Sequence, residues 1–242
     1  MTEHLGEFFM KIGIICAMDE ETEYFLSKFD KYEKKEFGST IFYEATTNEG
    51  KEVVLARSGI GKCAAAAVTA MMICMYQVSY VINSGIAGSI AKGLHIGDLV
   101  FSTKAAYHDA DFTAFGYKKG QMAGQELYFN ANPELIAKAE IAAMTIPEIK
   151  DKVKKGLVVS GDQFINSPEK KQAIIDTHSD AMVTECEGAP IAQIANSFKV
   201  PFIIIRSVSD SSCENEIDTY EFNVKSASET SAKLVLSLIK ML

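Results

Sequence analysis

Short apolar runs of strand type alternate with helical patterns along the whole chain, and that alternation confines it to a layered α/β domain. The patterning predicts strands at 11–15, 41–47, 52–58, 80–84, 98–103, 156–160, 181–184 and 202–206. It predicts helices at 19–28, 61–75, 133–144, 168–175, 189–198 and about 220–242. The helix over 61–75 is Ala-rich and apolar on nearly every side, so it belongs in a core or a subunit interface. No repeat, low-complexity tract or linker interrupts the pattern. The 242 residues, 48% of them hydrophobic, suit one large domain over 10–242 behind a short extension at 1–9.

Several classes of function are disfavoured at once. No run of about 18 apolar residues exists, so no membrane span is expected. The first residues, Met1-Thr2-Glu3-His4-Leu5-Gly6-Glu7, are acidic where a signal peptide would be basic. A net charge of −8 with no basic patch argues against nucleic-acid binding. The five cysteines, Cys16, Cys63, Cys74, Cys186 and Cys213, have no Cys-x-x-Cys spacing. Their apolar neighbours suggest buried free thiols in a reducing compartment, hence a cytoplasmic protein. The four histidines are scattered without zinc-ligand spacing, and no metal is expected.

The segment Pro201-Phe202-Ile203-Ile204-Ile205-Arg206-Ser207-Val208-Ser209-Asp210 points to a site. The apolar run is expected to end at Arg206, with Asp210 within one turn of it. Ligands in open α/β sheets bind where strands end. An acid there can be shielded from water and hold a proton at neutral pH. The plainer reading is a strand end with a solvated Arg and a capping Ser-Asp pair.

Other strand ends carry further candidates. Asp19, Glu20 and Glu21 suit the positive end of a helix, and Glu21 lies far enough in to face a cleft. Two glycine-rich turns are expected, Ser58-Gly59-Ile60-Gly61-Lys62 and Ser84-Gly85-Ile86-Ala87-Gly88-Ser89. Glycine lets backbone N–H groups approach a ligand, although such turns also serve packing. The stretch from Tyr107 to Gly116 mixes acids with Phe112 and Phe115 and reads as a loop capping a pocket or a partner subunit. Phe164, in Ser160-Gly161-Asp162-Gln163-Phe164-Ile165, could stack on a base or be an ordinary core ring. Glu185 and Glu187 flank Cys186; two carboxylates so close need donors or ligand hydroxyls, and a ribose diol suits one of them.

Taken in order, the blocks 10–21, 58–62, 107–117, 159–162, 185–189 and 206–210 resemble the 5′-methylthioadenosine/S-adenosylhomocysteine nucleosidase family of the nucleoside phosphorylase superfamily. The resemblance spans about residues 10 to 222. It implies hydrolysis of an N-glycosidic bond without metal or organic cofactor. It implies a three-layer α/β/α domain with a mixed, partly barrel-like central sheet, and a homodimer. By the same resemblance Asp210 is the general acid at purine N7, with Ser209 beside it. Glu21 activates water with Arg206 nearby, and Glu187 holds the ribose hydroxyls. Phe164 and Ile165 meet the base. Met18, Ile60, Ile86, Ala87, Gly88, Glu185 and Cys186 line the substrate, joined by Tyr220, Phe112 and Phe115.

The chain departs from the family pattern where Cys186 replaces a usual Met, Ile86 a usual Ser and Tyr220 a usual Phe. Phe112 stands for a smaller aliphatic and Ala123 for a Pro, which bears on the 5′-substituent. The rivals are a phosphorylase of the same superfamily, a nucleosidase for another purine nucleoside such as futalosine, and a binding protein without activity. A phosphorylase would want cations at the glycine turns, where Lys62 is the sole one, and Glu21 would repel phosphate.

Overall fold

The computed structural model describes residues 10–210 and 217–242, the side chains of 217–222 excepted. Its strands are β1 (Lys11–Cys16), β2 (Tyr32–Phe37), β3 (Thr40–Thr46), β4 (Glu52–Arg57), β5 (Tyr80–Ser89), β6 (Leu99–Tyr107), β7 (Phe129–Asn130), β8 (Val153–Ser160), β9 (Ala181–Glu185) and β10 (Phe202–Asp210). They form one mixed sheet in the order β10-β6-β8-β9-β5-β1-β4-β3-β2, with β7 on β6. Because β10 also pairs with β5, the strands β10, β6, β8, β9 and β5 close on themselves as a barrel. The remaining strands extend from it as an open sheet.

The helices are α1 (Asp19–Leu26), α2 (Lys62–Tyr76), α3 (Pro133–Met144), α4 (Pro168–Thr177), α5 (Gly188–Ser197) and α6 (Ile217–Ile239). Two cores flank the sheet. Ala65, Val68 and Met72 of α2 pack with Ile191 and Ala195 of α5 on one side. Phe25 of α1, Leu135 of α3 and Leu234 and Leu238 of α6 pack on the other. The result is the three-layer α/β/α arrangement with a partly barrel-like sheet. None of the helices among the described residues is long and apolar enough to cross a membrane.

The middle of the sheet creates the opening for a site. β5 pairs with β1 only through Tyr80–Asn83, and on the same edge with β9 only at Gly88 and Ser89. Between these points β1 has turned away into α1, so part of the β5 edge has no strand beside it. Strand order reverses here, the kind of place where α/β sheets bind ligands.

Several expectations are corrected. Ser84–Ser89 is no turn but the second half of β5. The strand expected to stop at Arg206 runs on to Asp210, paired with Gly85–Gly88. Polar residues occupy these strands because the barrel wall itself faces the cavity. Asp19 is the first residue of α1, where an acid was expected, and its carboxylate pairs with Arg57 at 3.1 Å. Cys63 and Cys74 are exposed rather than buried, because they lie on the outward face of α2; Cys16 is buried, Cys186 is half-buried and Cys213 lies outside the described residues.

Candidate active site

Arg206 is the centre of the site and is 1% exposed. Its position on β10 puts the guanidinium beneath the open edge of β5, among the carboxylates of Glu21, Glu185 and Glu187. Nη2 donates to Glu187 Oε2 at 3.1 Å, to Glu185 Oε2 and to Asn83 Oδ1 at 2.7 Å. Nη1 donates to the Ile86 carbonyl at 3.2 Å and stands 3.7 Å from Glu21 Oε1. Burial works against the charge on Arg206, but Glu185, Glu187 and Glu21 more than offset it and raise its pKa further. Asn83, a residue the sequence did not single out, is itself held by donating to the Ile15 carbonyl at 3.0 Å.

A carboxylate offers about four acceptor positions, and the three acids here use them differently. Glu185 carries four donors, Ser160 Oγ on Oε1 and, on Oε2, the Glu187 N–H at 2.9 Å, the Gly188 N–H at 2.7 Å and Arg206. Glu21 accepts the Ala17 N–H at 2.6 Å, the Met18 N–H at 3.2 Å and the Ile86 N–H at 3.0 Å. The first two contacts follow from its place three residues into α1, from which it reaches back over the helix start. The third satisfies the amide that β1 left unpaired on β5. Glu187 accepts only the Gly61 N–H at 3.0 Å and Arg206 among the described residues.

Burial is the main influence on Glu21 and Glu187. It raises the Glu21 pKa against the opposing pull of Arg206 and the three amides. It pushes Glu187 up to about 7, with Arg206 opposing and Glu185 and Glu21 reinforcing the rise. Burial beside Glu187 and Glu185 also pushes the Cys186 thiol up to about 12.

These residues open onto a cavity of about 440 Å³, within the usual range for small-molecule sites. Asp210 and Ser209 line its β10 wall, with Ser209 Oγ donating to Asp210 Oδ2 at 3.0 Å. Met18, Glu21, Ile60, Ile86, Ala87, Gly88, Phe164, Ile165, Glu185, Cys186, Glu187 and Arg206 are also in its lining. Phe164 is 61% exposed, so its ring is available to a ligand rather than packed in the core. Phe112 and Phe115 do not reach this cavity within one chain. The side chain of Tyr220 lies outside the described residues. In the segment of Phe112, Asp109 pairs with Lys62 and Asp111 accepts from Thr113, so these two acids do not converge.

Sequence reasoning did not assign Ala17, Gly61, Asp162, Gln163 or Thr184 to the lining. Each lies within two residues of one it did name, and proximity to those motifs was the available signal. Nor did it see the purpose of Gly85. A Cβ there would collide with both Arg206 Nη1 and Glu21 Oε1. Gly85 is needed for close approach, whereas Gly59 and Gly61 turn the chain with φ of 84° and 104°.

Comparison with known proteins agrees with this fold. Residues 11–240 match the family model described as phosphorylase superfamily. The chain is 39% identical over 233 residues to the 5′-methylthioadenosine/S-adenosylhomocysteine nucleosidase of Shewanella loihica, covering 96% of this chain and 100% of that one. The nucleosidase of the same name from Neisseria meningitidis, solved with methylthio-immucillin-A, superposes with a TM-score of 0.92 at 39% identity, covering 96% of this chain and 99% of that one. The futalosine hydrolase of Helicobacter pylori superposes with a TM-score of 0.91 at 32% identity, covering 98% and 100%.

Proposed function

The chain belongs to the 5′-methylthioadenosine/S-adenosylhomocysteine nucleosidase family of the phosphorylase superfamily, and from that membership we propose how its cavity works. It hydrolyses the N-glycosidic bond of 5′-methylthioadenosine and S-adenosylhomocysteine, releasing adenine and the thioribose product. The observation that carries the residue roles is the convergence of Glu21, Glu187, Arg206 and Asp210 on one cavity.

Adenine is a poor leaving group as an anion, so its N7 takes a proton from Asp210, oriented by Ser209, as the C1′–N9 electron pair passes to the purine. The ribose becomes oxocarbenium-like. Water bonds to C1′ from the opposite face and loses a proton to Glu21. That carboxylate has three amide donors already, which leaves about one acceptor position for the water. Its raised pKa makes it the stronger proton acceptor. Glu187 has about two positions left, enough for the vicinal ribose hydroxyls. Glu185 is already held by four donors, among them Arg206 and two N–H groups at the start of α5, so it braces these rather than touching substrate. Phe164 stacks on the base. General acid–base help contributes about 10²–10⁴-fold per group.

The phosphorylase alternative meets two obstacles. Lys62 is held by Asp109 at 2.6 Å and Asp162 at 3.6 Å, and Arg206 is enclosed by carboxylates. The reading includes a cytoplasmic enzyme, because Cys16, Cys63, Cys74 and Cys186 are free thiols of the kind a reducing compartment maintains. It also includes a homodimer, in which the outward face of α2 is covered and the Phe112 loop reaches the neighbour's cavity. The test is to supply methylthioadenosine, adenosylhomocysteine and futalosine to the purified protein, with and without phosphate. Free adenine and free thioribose at equal rates in both buffers support the reading. Phosphate-dependent release with a sugar 1-phosphate, or turnover of futalosine alone, overturns it.

A further inference from the structure

Lys62 occupies an electrostatically awkward place. It is the first residue of α2, where the helix dipole disfavours a cation. Its side chain is a quarter exposed, and it is not part of the cavity lining. What it does make is a knot among three segments. Nζ donates to Asp109 Oδ2 at 2.6 Å, at the end of β6, and lies 3.6 Å from Asp162 Oδ2, after β8. The Lys62 backbone N–H donates to Asp162 Oδ1 at 2.8 Å, and the Asp162 N–H donates to Asp109 Oδ2 at 3.0 Å.

Two cavity walls meet at this knot. One is the Ile60–Gly61 turn, whose Gly61 amide holds Glu187. The other is the Asp162–Ile165 loop, which carries Phe164. The fit is close, because a Cβ on Gly61 would lie 3.1 Å from Asp162 Oδ1. Without the cation, the Asp162 loop would face the Asp109 carboxylate as a like charge, and repulsion would push that loop off the knot that ties it to the Gly61 turn.

We propose that Lys62 is a positioning residue: its ammonium, shared by Asp109 and Asp162, sets the spacing between the Gly61 turn and the Phe164 loop, and so governs how tightly the purine nucleoside is seated. This rests on the nucleosidase reading above. The acid at Asp210 and the water site at Glu21 belong to other walls, so the effect falls on binding before chemistry.

The experiment compares wild type with Lys62→Met, Lys62→Gln, Lys62→Arg, Asp109→Asn and the Lys62→Met/Asp109→Asn pair. It reads KM and kcat for methylthioadenosine, adenine affinity by calorimetry, and Tm. Misplaced binding elements can cost about 10²-fold. Lys62→Met and Lys62→Gln are therefore expected to lower kcat/KM by about that factor, chiefly through KM, with weaker adenine binding. Lys62→Arg is expected to restore most of it, and the double variant to add little to Lys62→Met. The proposal is overturned if whichever neutral variant folds keeps the wild-type KM, if it loses kcat with KM unchanged, if Lys62→Arg is as poor as Lys62→Met, or if the double variant is additive. A wild type that releases no adenine defeats the nucleosidase reading instead, so the two failures are distinct.

Discussion

Arg206 donates to Glu187 at 3.1 Å in a wall where the two side chains are almost wholly buried, and the same nitrogen also holds Glu185. One cation therefore serves several acids, and the acids differ in what each has left to offer. Glu185→Gln is expected to destabilise the fold by about 3–5 kcal/mol, the range for breaking a buried ion pair. Glu187→Gln is expected to weaken both inhibitor binding and turnover, while Glu21→Gln lowers turnover with little change in inhibitor affinity. Denaturant melts and inhibitor titrations of the three variants check this. A Glu21→Gln protein that binds poorly yet turns over normally at saturation contradicts the assignment.

Gly85→Ala tests the packing beneath the site. Its new Cβ would meet Arg206 and Glu21, both immobilised by other contacts. Overpacking of this kind costs about 1–3 kcal/mol. A lower Tm is expected together with a loss of turnover, since the collision displaces the proposed base. Wild-type activity in a folded Gly85→Ala protein would show that the pair has room to move.

The Glu187 titration has consequences of known sign. Its pKa in the fold is about 7 against an ordinary 4.5, so the fold favours the neutral acid. Its contribution to stability is full below 4.5 and is lost as pH rises through about 7. The Tm advantage of wild type over Glu187→Gln should therefore shrink across that interval. Binding of ribose hydroxyls to the ionised form runs the other way, and kcat/KM should fall as pH drops below about 7. An acid limb that persists unchanged in Glu187→Gln would assign it to another group.

The outward face of α2 predicts association. Cys63, Ala67, Cys74 and Met75 are exposed there, and Ile60 and Phe115 are exposed apolar side chains elsewhere on the surface. Sedimentation of the wild type should give a dimer, and Ala67→Glu should give a monomer with reduced activity. Phe112 from the neighbour is expected to narrow the 5′ end of the cavity, and such fit differences discriminate by about 1–3 kcal/mol. Methylthioadenosine should be preferred over adenosylhomocysteine, with the ratio changed in Phe112→Val. A fully active monomer, or an unchanged ratio, contradicts this.

The sequence made most of the scaffold legible, because apolar strands and helices carry their own period. It hid β2, whose residues Tyr32–Phe37 are mostly charged and exposed at the sheet edge. It also hid the far halves of β5 and β10. Glycines and polar residues there look like turns, and only the pairing of the two strands makes them a barrel wall. The acids of the site were readable from strand-end motifs. The difference between Glu185 and Glu187 was not, since it depends on donors from Ser160 and Gly61, far away in the chain. Gly85 was read as a turn residue because its reason for being glycine lies in side chains that α1 and β10 bring to it.

Everything in the proposed reaction depends on Asp210 supplying the proton that lets adenine leave. It sits at the end of β10 on the cavity wall, with Ser209 donating to its carboxylate. Asparagine keeps the shape but cannot deliver the proton. The direct measurement is single-turnover release of adenine from methylthioadenosine by wild type and Asp210→Asn, in phosphate-free buffer, with circular dichroism confirming the fold. The variant should fold, bind substrate and release adenine at least about 10²-fold more slowly. A folded Asp210→Asn protein that releases adenine at the wild-type rate would contradict that role for Asp210.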